Sequence, residues 1–332
     1  MVSIKDIARQ AGVSPATVSR AVNGKQCVCA KTKEQILKIV EKTGYVPNKA
    51  ARAMVLRRSF TVGIVIPWTF NVFQRQLFPV VEEQLNLLGY ETLFFFVKPG
   101  AAGERECLNR LKSEDLDGIV VFHEIKDPQF YLYLAGAKLP AVSTLDISAA
   151  ISVVQVDDKR AAYDAVRYLI GLGHRKIGLI CTSQFSFGKR RAEGYFLALE
   201  KNNIPRDEKR VVFEPYYSPE FGVKGMRELL SRSQDFSAVF AVTDELAIGT
   251  VRTLKDAGFR IPEDVSVVGF DDTETAGYMV PRLTTIRQPL REIGKQTALI
   301  LHNLVEGGTT IKQILSYELI IRESTGEFRE KN

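Results

Sequence analysis

Cysteine and histidine are scarce in this sequence, whose 332 residues include four cysteines and three histidines. The cysteines, Cys27, Cys29, Cys107 and Cys181, form neither a C-x-x-C pair nor a disulfide framework, which favours a reduced, cytoplasmic compartment. The C-x-C of Cys27 and Cys29 lacks the further ligands of a metal site, so incidental thiols are favoured over a redox sensor. With so few histidines the sequence offers little material for a catalytic triad, and we expect no metal and no cofactor.

Long apolar runs and the common catalytic motifs are also missing. No stretch stays apolar for the roughly 18 residues that a membrane span needs. The N-terminus, MVSIKDIARQ, does not have the apolar segment of a secretory signal. The sequence contains no complete G-x-G-x-x-G, Walker loop, G-x-S-x-G or H-E-x-x-H. We therefore expect a protein that acts in the cytoplasm, does not bind a membrane and is not an enzyme.

Positive charge is concentrated at the start of the chain. Residues 1–59 hold twelve lysines and arginines against three acidic residues, a net charge of +9. The whole chain carries +6, so the remaining residues have a net charge of −3. A charged surface exposed to solvent would be the ordinary explanation, but a compact basic module is typical of a protein that binds a polyanion such as DNA.

Residues 4–23, IKDIARQAGVSPATVSRAVN, predict two short helices joined by a tight turn. Apolar residues recur at helical spacing up to Gly12, which suits the left-handed conformation that often ends a helix. Ser14 then caps a second helix, which turns Val18 and Val22 inward. This pattern is that of a helix-turn-helix, whose second helix enters the major groove of DNA.

Two further helices are predicted after this motif. A T-x-x-Q capping box at Thr32 opens a third helix, and Gly44 ends it. Asn48 caps a fourth helix that extends to about residue 56, and a helix this short is marginal unless a partner holds it.

The N-terminal residues resemble the LacI family of bacterial transcription regulators. The similarity lies in residues 4–23, in the turn Gly44-Tyr45-x-Pro47-Asn48 and in the pair Ala51-Arg52, and it extends over the whole chain. It implies that the second helix reads bases in the major groove and that a hinge residue, leucine in the family and methionine here, wedges into the minor groove. The matching positions are Pro15, Ala16, Arg20 and Met54 for base contacts, and Ser3, Thr17, Ser19, Asn23 and Tyr45 for phosphate contacts.

From residue 60 onward, short apolar runs alternate with helical stretches. Runs such as 61–67, 91–97 and 264–272 predict β-strands of parallel sheets that are covered on both faces. The resemblance implies the periplasmic-binding-protein fold, with two Rossmann-like subdomains, a ligand between them and three crossings, near 157, 287–289 and 317–322. The predicted fold is therefore an all-α helix-turn-helix head followed by an α/β core with parallel sheets. The predicted domains are 1–46 (head), 47–59 (hinge helix and linker) and 60–332 (core), the core comprising subdomains 60–156 with 289–317 and 157–288 with 318–332.

Ligands of open α/β sheets bind beyond the C-terminal ends of the strands, where this sequence places carboxylates, an arginine and aromatic residues. Carboxylates accept hydrogen bonds from hydroxyls and a guanidinium donates to oxygens, so this set suits a hydroxyl-rich ligand. Trp68 and Phe187 are further candidates for stacking on sugar faces. We expect Asp244 to cap a helix and His174 to be structural. By position or by resemblance, the expected effector-binding residues are Phe73, Asp146, Arg191, Tyr217, Thr243 and Asp271.

Together these features predict a homodimeric transcription regulator, most often a repressor in the LacI family, that binds an inverted-repeat operator of double-stranded DNA. A sugar or sugar derivative is the first expectation for its small-molecule effector, and a nucleoside or nucleobase is the second. A sugar- or nucleoside-binding protein of transport type would share the two-lobed fold, but it should carry a signal peptide and lack the basic head. A catalytic descendant of the fold is a third alternative, which turnover of a bound sugar would support.

Overall fold

The computed structural model describes residues 2–22, 28–45 and 58–330. Two compact units make up the chain, the first within residues 1–60 and the second within residues 61–332. Across the described ranges, every helix is too short or too polar to span a lipid bilayer. The predicted hinge helix lies outside the described residues, as do Asn23 and Met54.

The first unit, here named the head, packs three described helices together: α1 (Ile4–Ala11), α2 (Pro15–Val22) and α3 (Ala30–Thr43). Gly12 and Gly44 end α1 and α3 with φ of 65° and 63°, as predicted, because glycine adopts this left-handed conformation without a Cβ penalty. Val22, which we expected to point inward, is half-buried. The buried apolar side chains of the head are Ile7, Ala8, Ala11, Val18, Ala21, Ile36 and Tyr45.

The start of α3 differs from the prediction, whereas the start of α2 agrees with it. The capping box expected at Thr32 is wrong, because the N-cap of α3 is Cys29 and Thr32 lies within the first turn. The Sγ of Cys29 lies 3.0 Å from Oγ1 of Thr32, so these two side chains form a hydrogen bond. At α2 the hydroxyl of Ser14 accepts from the backbone N–H of Thr17 at 3.2 Å, which is the expected cap.

The first lobe of the second unit is a six-stranded sheet with helices on both faces. Its strands are β1 (Thr61–Pro67), β2 (Glu91–Val97), β3 (Gly118–Val121), β4 (Ala141–Ser143), β5 (Ser152–Val156) and β11 (Lys312–Leu315), in the order β11-β5-β4-β3-β1-β2. Its helices are α4 (Val72–Leu87), α5 (Ala101–Lys112), α6 (Pro128–Ala137) and α11 (Leu290–Val305). Ile64 and Ile66 of β1 pack with α4 and α11, whereas Val65 between them packs with α5 and α6. Both faces are therefore buried, which explains the continuous apolar runs.

The second lobe repeats this architecture. Its strands are β6 (Ile177–Thr182), β7 (Val211–Glu214), β8 (Ala238–Ala241), β9 (Ser266–Asp271), β10 (Thr284–Arg287) and β12 (Glu318–Ile320), in the order β12-β10-β9-β8-β6-β7. Its helices are α7 (Asp158–Gly171), α8 (Ser186–Lys201), α9 (Pro219–Arg232) and α10 (Asp244–Asp256). Helix α7 packs on α8, and α9 packs on α10.

The chain passes between the lobes around residue 157, at 288–289 and at 316–317. One described strand pairing departs from the predicted parallel sheets: β10 and β12 are antiparallel, with Thr285 opposite Ile320. Strand β12 lies at the edge of its sheet, so no second neighbour constrains its direction.

Candidate DNA-binding surface and ligand cavity

Helix α2 presents its first turn and an arginine to solvent, while its other side packs into the interior of the head. The exposed residues are Pro15, Ala16 and Arg20, and the half-buried ones are Thr17 and Ser19. A helix tip of small residues followed one turn later by an arginine can approach base edges in the major groove. The α2 residues expected at DNA thus run from its first turn to Arg20 in its last turn, and all of them are exposed or half-buried.

All three helices of the head carry exposed basic side chains. They are Lys5, Arg9, Arg20, Lys31, Lys38 and Lys42. Arg9 lies 3.7 Å from Asp6, and Lys38 lies 2.8 Å from Glu34. Exposed ion pairs of this kind contribute little free energy, so they do not prevent these cations from binding phosphates.

Residues expected at DNA phosphates have different surroundings. Asp6 accepts from the backbone N–H of Ser3 at 3.0 Å and from its hydroxyl at 2.6 Å, which fixes the start of α1. The hydroxyl of Thr17 lies 2.9 Å from that of Ser14. Tyr45 is 9% exposed and packs among the buried residues of the head. Tyr45 therefore stabilises the fold, and only a small part of its side chain faces solvent.

A cavity of about 940 Å³ lies between the two lobes of the second unit. Its wall is formed where strands of both sheets end, which is where open α/β sheets bind their ligands. The volume lies near the upper end of the roughly 300–1,000 Å³ that is typical of ligand pockets. The expected effector residues that line it are Phe73, Arg191, Tyr217, Thr243 and Asp271.

Arg191 is the centre of a buried ionic network in this wall. Its Nε donates to Asp158 Oδ1 at 2.8 Å, and its Nη1 donates to the carbonyl of Val242 at 2.7 Å and to Asp271 Oδ1 at 3.3 Å. The guanidinium carbon lies 3.5 Å from the ring centroid of Phe270. These contacts fix the guanidinium plane, and its Nη2 makes no hydrogen bond to the residues that the structure describes.

Asp271 and Asp272 occupy consecutive left-handed backbone positions, with φ of 115° and 51°. Such strained conformations persist where contacts fix them, and they cluster at binding sites. Asp271 accepts from Gln288 Nε2 at 2.8 Å as well as from Arg191, whereas Asp272 pairs with two arginines at 2.6 Å each. Burial raises the pKa of Asp271 to about 6, even though the Arg191 charge opposes this shift.

Thr243, which lines the cavity, also has the capping role that was expected of Asp244. Thr243 is the N-cap of α10, where its hydroxyl accepts from the backbone N–H of Leu246 at 3.2 Å, so the expected capping by Asp244 is wrong. Asp244 is fully buried and accepts from the N–H of Thr273 at 2.7 Å and from the hydroxyl of Thr285 at 2.6 Å. Burial raises the pKa of Asp244 well above its usual value.

Nine aromatic side chains line the cavity. In the second lobe the rings of Phe185, Phe187 and Tyr217 pack on one another, with centroids between 4.8 and 5.6 Å apart. In the first lobe Phe73 is half-buried in the wall and Trp68 is 54% exposed. The cavity therefore offers flat apolar surfaces beside its buried ionic network, as predicted for a site that binds sugar rings.

Asp146, an expected effector-binding residue, lies outside the lining of the cavity. Its carboxylate pairs with the ammonium of Lys312 on β11, two strands away from β4 in the same sheet. Thr144 and Leu145, which precede it, line the cavity instead. The ion pair thus gives Asp146 a role within the first lobe.

Two histidines of the second unit have distinct environments. His174 has the structural role that was expected, since its Nδ1 lies 2.9 Å from Ser237 Oγ and its Nε2 lies 3.1 Å from the carbonyl of Gly326. His123 lines the cavity, where its Nε2 lies 3.7 Å from Glu104. Burial lowers the pKa of His123, while the Glu104 charge opposes this shift.

Two carboxylates that no sequence motif marks join the lobes across the cavity. Glu124 of the first lobe accepts from the N–H of Ser186, the first residue of α8, at 2.8 Å. Glu245 of the second lobe accepts from the N–H of Val72, the first residue of α4. Each interlobe contact thus satisfies an N–H group at a helix start in the opposite lobe. Burial, and then the charge of Asp271, raises the pKa of Glu245 to about 7.

Comparison with known proteins relates both units to one family. Residues 3–48 match the family model of bacterial regulatory proteins, lacI family, and residues 166–325 match that of a periplasmic binding protein-like domain. The catabolite control protein A of Priestia megaterium is 30% identical over 330 residues, which cover 98% of this chain and 99% of that protein. The chain belongs to the LacI family. The ribose operon repressor of Haemophilus influenzae is 31% identical over 333 residues, or 99% of this chain and 98% of that protein.

Solved structures of related regulators resemble this LacI-family chain over nearly its whole length. The lac repressor dimer bound to operator and the anti-inducer ONPF has a TM-score of 0.84 at 27% identity, covering 98% of this chain and 99% of that one. The complex of the transcriptional regulator CelR with cellobiose has a TM-score of 0.75 at 29% identity, covering 98% of this chain and 100% of that one. The predicted family and fold class are confirmed, and the protein is a DNA-binding transcriptional regulator and not an enzyme.

Proposed function

We propose that this LacI-family regulator is a homodimeric repressor. Its two heads bind an inverted-repeat operator, and a sugar in the cavity changes the affinity for that operator. The observation that most directly supports DNA binding by the heads is the exposed surface of α2, where Arg20 lies one turn after the small residues Pro15 and Ala16 on a strongly basic unit. As a regulator of bacterial genes, the protein acts in the cytoplasm, where the DNA is.

In the proposed complex, α2 lies in the major groove and Arg20 donates both guanidinium arms to a guanine edge. The exposed lysines and arginines of the head bind phosphates, which makes affinity depend steeply on salt. The proposed base contacts are Pro15, Ala16, Arg20 and Met54, and the proposed phosphate contacts are Ser3, Thr17, Ser19, Asn23 and Tyr45.

A dimer is proposed because two-fold proteins match two-fold operators, and because the lac repressor, which this chain resembles over nearly its whole length, binds its operator as a dimer. The term repressor rests on the relatives that carry this name, the ribose operon repressor among them.

A sugar is proposed as the effector because buried hydrogen-bonding groups and aromatic rings meet in one cavity. Arg191 and Asp271 offer a donor and an acceptor to hydroxyl groups, and rings such as Tyr217 offer a face for stacking. The related regulator CelR binds cellobiose, which supports the same class of ligand here. Since the cavity lies between the lobes, a ligand contacts both and changes their arrangement. We propose that residues 47–59 transmit this change to the heads, with a coupling free energy of about 1–3 kcal/mol.

Selection of DNA from a random-sequence duplex library by the full chain tests this proposal. We expect enrichment of an inverted repeat, with a guanine at a symmetric position in each half-site. Binding to the selected duplex should weaken steeply between about 50 and 200 mM salt, because phosphate contacts release counterions. Enrichment of no sequence, or binding that is insensitive to salt, would contradict the proposal.

A further inference from the structure

The cavity lining has a buried part made of ionic side chains and an exposed part made of aromatic rings. The buried part contains the ionic network of Arg191 with Asp158 and Asp271, all three at most 6% exposed. The exposed part contains aromatic rings from both lobes: Trp68 of the first lobe is 54% exposed, and Tyr216 of the second lobe is 47% exposed. Exposed aromatic side chains that line one cavity indicate a surface that a ligand covers.

The cavity is large enough for a ligand with more than one sugar ring. If one ring bonds to Arg191 and Asp271 in the buried part, the exposed rings of Trp68 and Tyr216 are available to a second ring. The cavity of about 940 Å³ extends over both parts. A ligand with a second ring continues from the ionic network to the exposed aromatics and stacks on them.

The charges of the lining select against anions. Six carboxyl groups and three basic side chains belong to the lining, and the only one of these three basic groups that is buried, Arg191, already pairs with Asp158 and Asp271. A phosphate or carboxylate on the ligand would lose its hydration beside Asp271 and Glu245 without an unpaired buried cation to compensate. A neutral hydroxyl group avoids this cost.

Free hydrogen-bonding capacity in the wall fits neutral hydroxyl groups. Nη2 of Arg191 has no acceptor among the described residues, so it can donate to a ring or hydroxyl oxygen. Gln155 lines the cavity at 8% exposure, and its side-chain oxygen has no donor in the part of the chain that the structure describes. A sugar hydroxyl supplies both a donor and an acceptor to such groups.

We propose that the effector is a neutral oligosaccharide of at least two sugar rings, one bound at Arg191 and Asp271 and the next stacked on Trp68 and Tyr216. This assignment rests on the proposed function, since it names the ligand class of the same cavity. Sugar phosphates and uronic acids are excluded as effectors by the same charges.

Calorimetric titration of the full chain with matched sugars tests the assignment. The probes are cellobiose, maltose and lactose, a trisaccharide of each series, the constituent glucose and galactose, and the anionic glucose 6-phosphate and glucuronate. We expect at least one neutral oligosaccharide to bind at least tenfold more tightly than its constituent monosaccharides and than both anions. If the tightest ligand is a monosaccharide or an anion, or if no oligosaccharide binds, the proposal is wrong. A monosaccharide that alters operator affinity would reject the oligosaccharide and leave the proposed function intact.

Substitution of the exposed rings provides a second readout. W68A and Y216A should each weaken binding of the oligosaccharide about two- to tenfold, which is the range that one ring-stacking contact supplies. Y278A is the matched control, because Tyr278 is 79% exposed and lies outside the lining. Oligosaccharide affinity that is unchanged in both W68A and Y216A would overturn the placement of the second ring.

Discussion

In the head, Arg20 is exposed in the last turn of α2, while Val18 of the same helix is completely buried. In the two-lobed unit, Arg191 is 4% exposed and pairs with Asp158 and Asp271 inside the wall of the cavity. The proposed base contacts on α2 are therefore separate from the buried residues that hold the head, whereas Arg191 both lines the cavity and holds its wall. We expect base preference to change in the head with little effect on stability, and a change of ligand to require rebuilding part of the second unit.

The largest expected effect comes from removing Arg191. R191A leaves Asp271 and Asp158 with fewer partners in a buried site, and breaking a buried ion pair costs about 3–5 kcal/mol of unfolding free energy. Trp68 is the only tryptophan, so its fluorescence follows unfolding of the two-lobed unit alone. R190A is the matched control, because Arg190 binds the same Asp158 from a more exposed position. If R191A and R190A lost the same unfolding free energy, the buried ion pairs of Arg191 would contribute no more to stability than the more exposed pair of Arg190.

Removal of a buried side chain in the head should come next in size. I36A truncates a completely buried residue, which costs about 2–5 kcal/mol. Its neighbour Leu37 is 43% exposed, so L37A should change stability by much less. Hydrogen exchange of the α3 amides measures both. Similar protection in the two variants would contradict the packing of the head.

A smaller effect, on binding alone, is expected for Arg20. R20A should lose about 1–3 kcal/mol of operator affinity and relax the preference at one base pair in each half-site. Its unfolding should match that of the unchanged protein, because the side chain is exposed. K5A is the control for a residue expected only near phosphates, and it should weaken binding to all sequences alike. If R20A also lost affinity equally for all sequences, it would not read a base.

The last expected effect concerns pH. Burial raises the pKa of Asp271 to about 6 and that of Glu245 to about 7, so the folded unit binds more protons than the unfolded chain between about pH 4 and 7. Unfolding free energy should therefore fall as pH rises through this window. E245Q keeps an acceptor for the N–H of Val72 and should flatten the fall. E220Q, at an exposed position of α9, should leave the profile unchanged. A profile that rises with pH in both variants would contradict the raised pKa values.

Much of the fold was predictable because its signals are local. Strands buried on both faces give continuous apolar runs, and glycines such as Gly44 mark helix ends where the backbone is left-handed. Errors of one or a few residues arose where two residues competed to cap a helix, as with Thr243 and Asp244. The same error arose at α3, where Cys29 and not Thr32 is the N-cap. The side chain that does not cap its helix is hydrogen-bonded by tertiary contacts in the case of Asp244 and by a neighbour in the case of Thr32, and the local pattern does not show either partner.

The site was less predictable because its contacts are long-range. Arg191 was identified, but its partner Asp158 is 33 positions away and was not. Glu124 and Glu245 bind helix starts in the opposite lobe, and no local pattern indicates which helix a carboxylate will meet. Asp146 was expected at the end of a strand, but β4 ends at Ser143, and Lys312, 166 positions later, binds Asp146 away from the cavity lining.

The most direct test of the central claim compares operator affinity with and without a ligand that saturates the cavity. Fluorescence anisotropy of the selected duplex should show a change of about 5- to 150-fold on saturation with the tightest sugar. Calorimetry should show that the operator changes sugar affinity by the same factor, because linkage is reciprocal. Identical operator affinity in the two states, with the cavity shown to be occupied, would contradict the coupling of the two units.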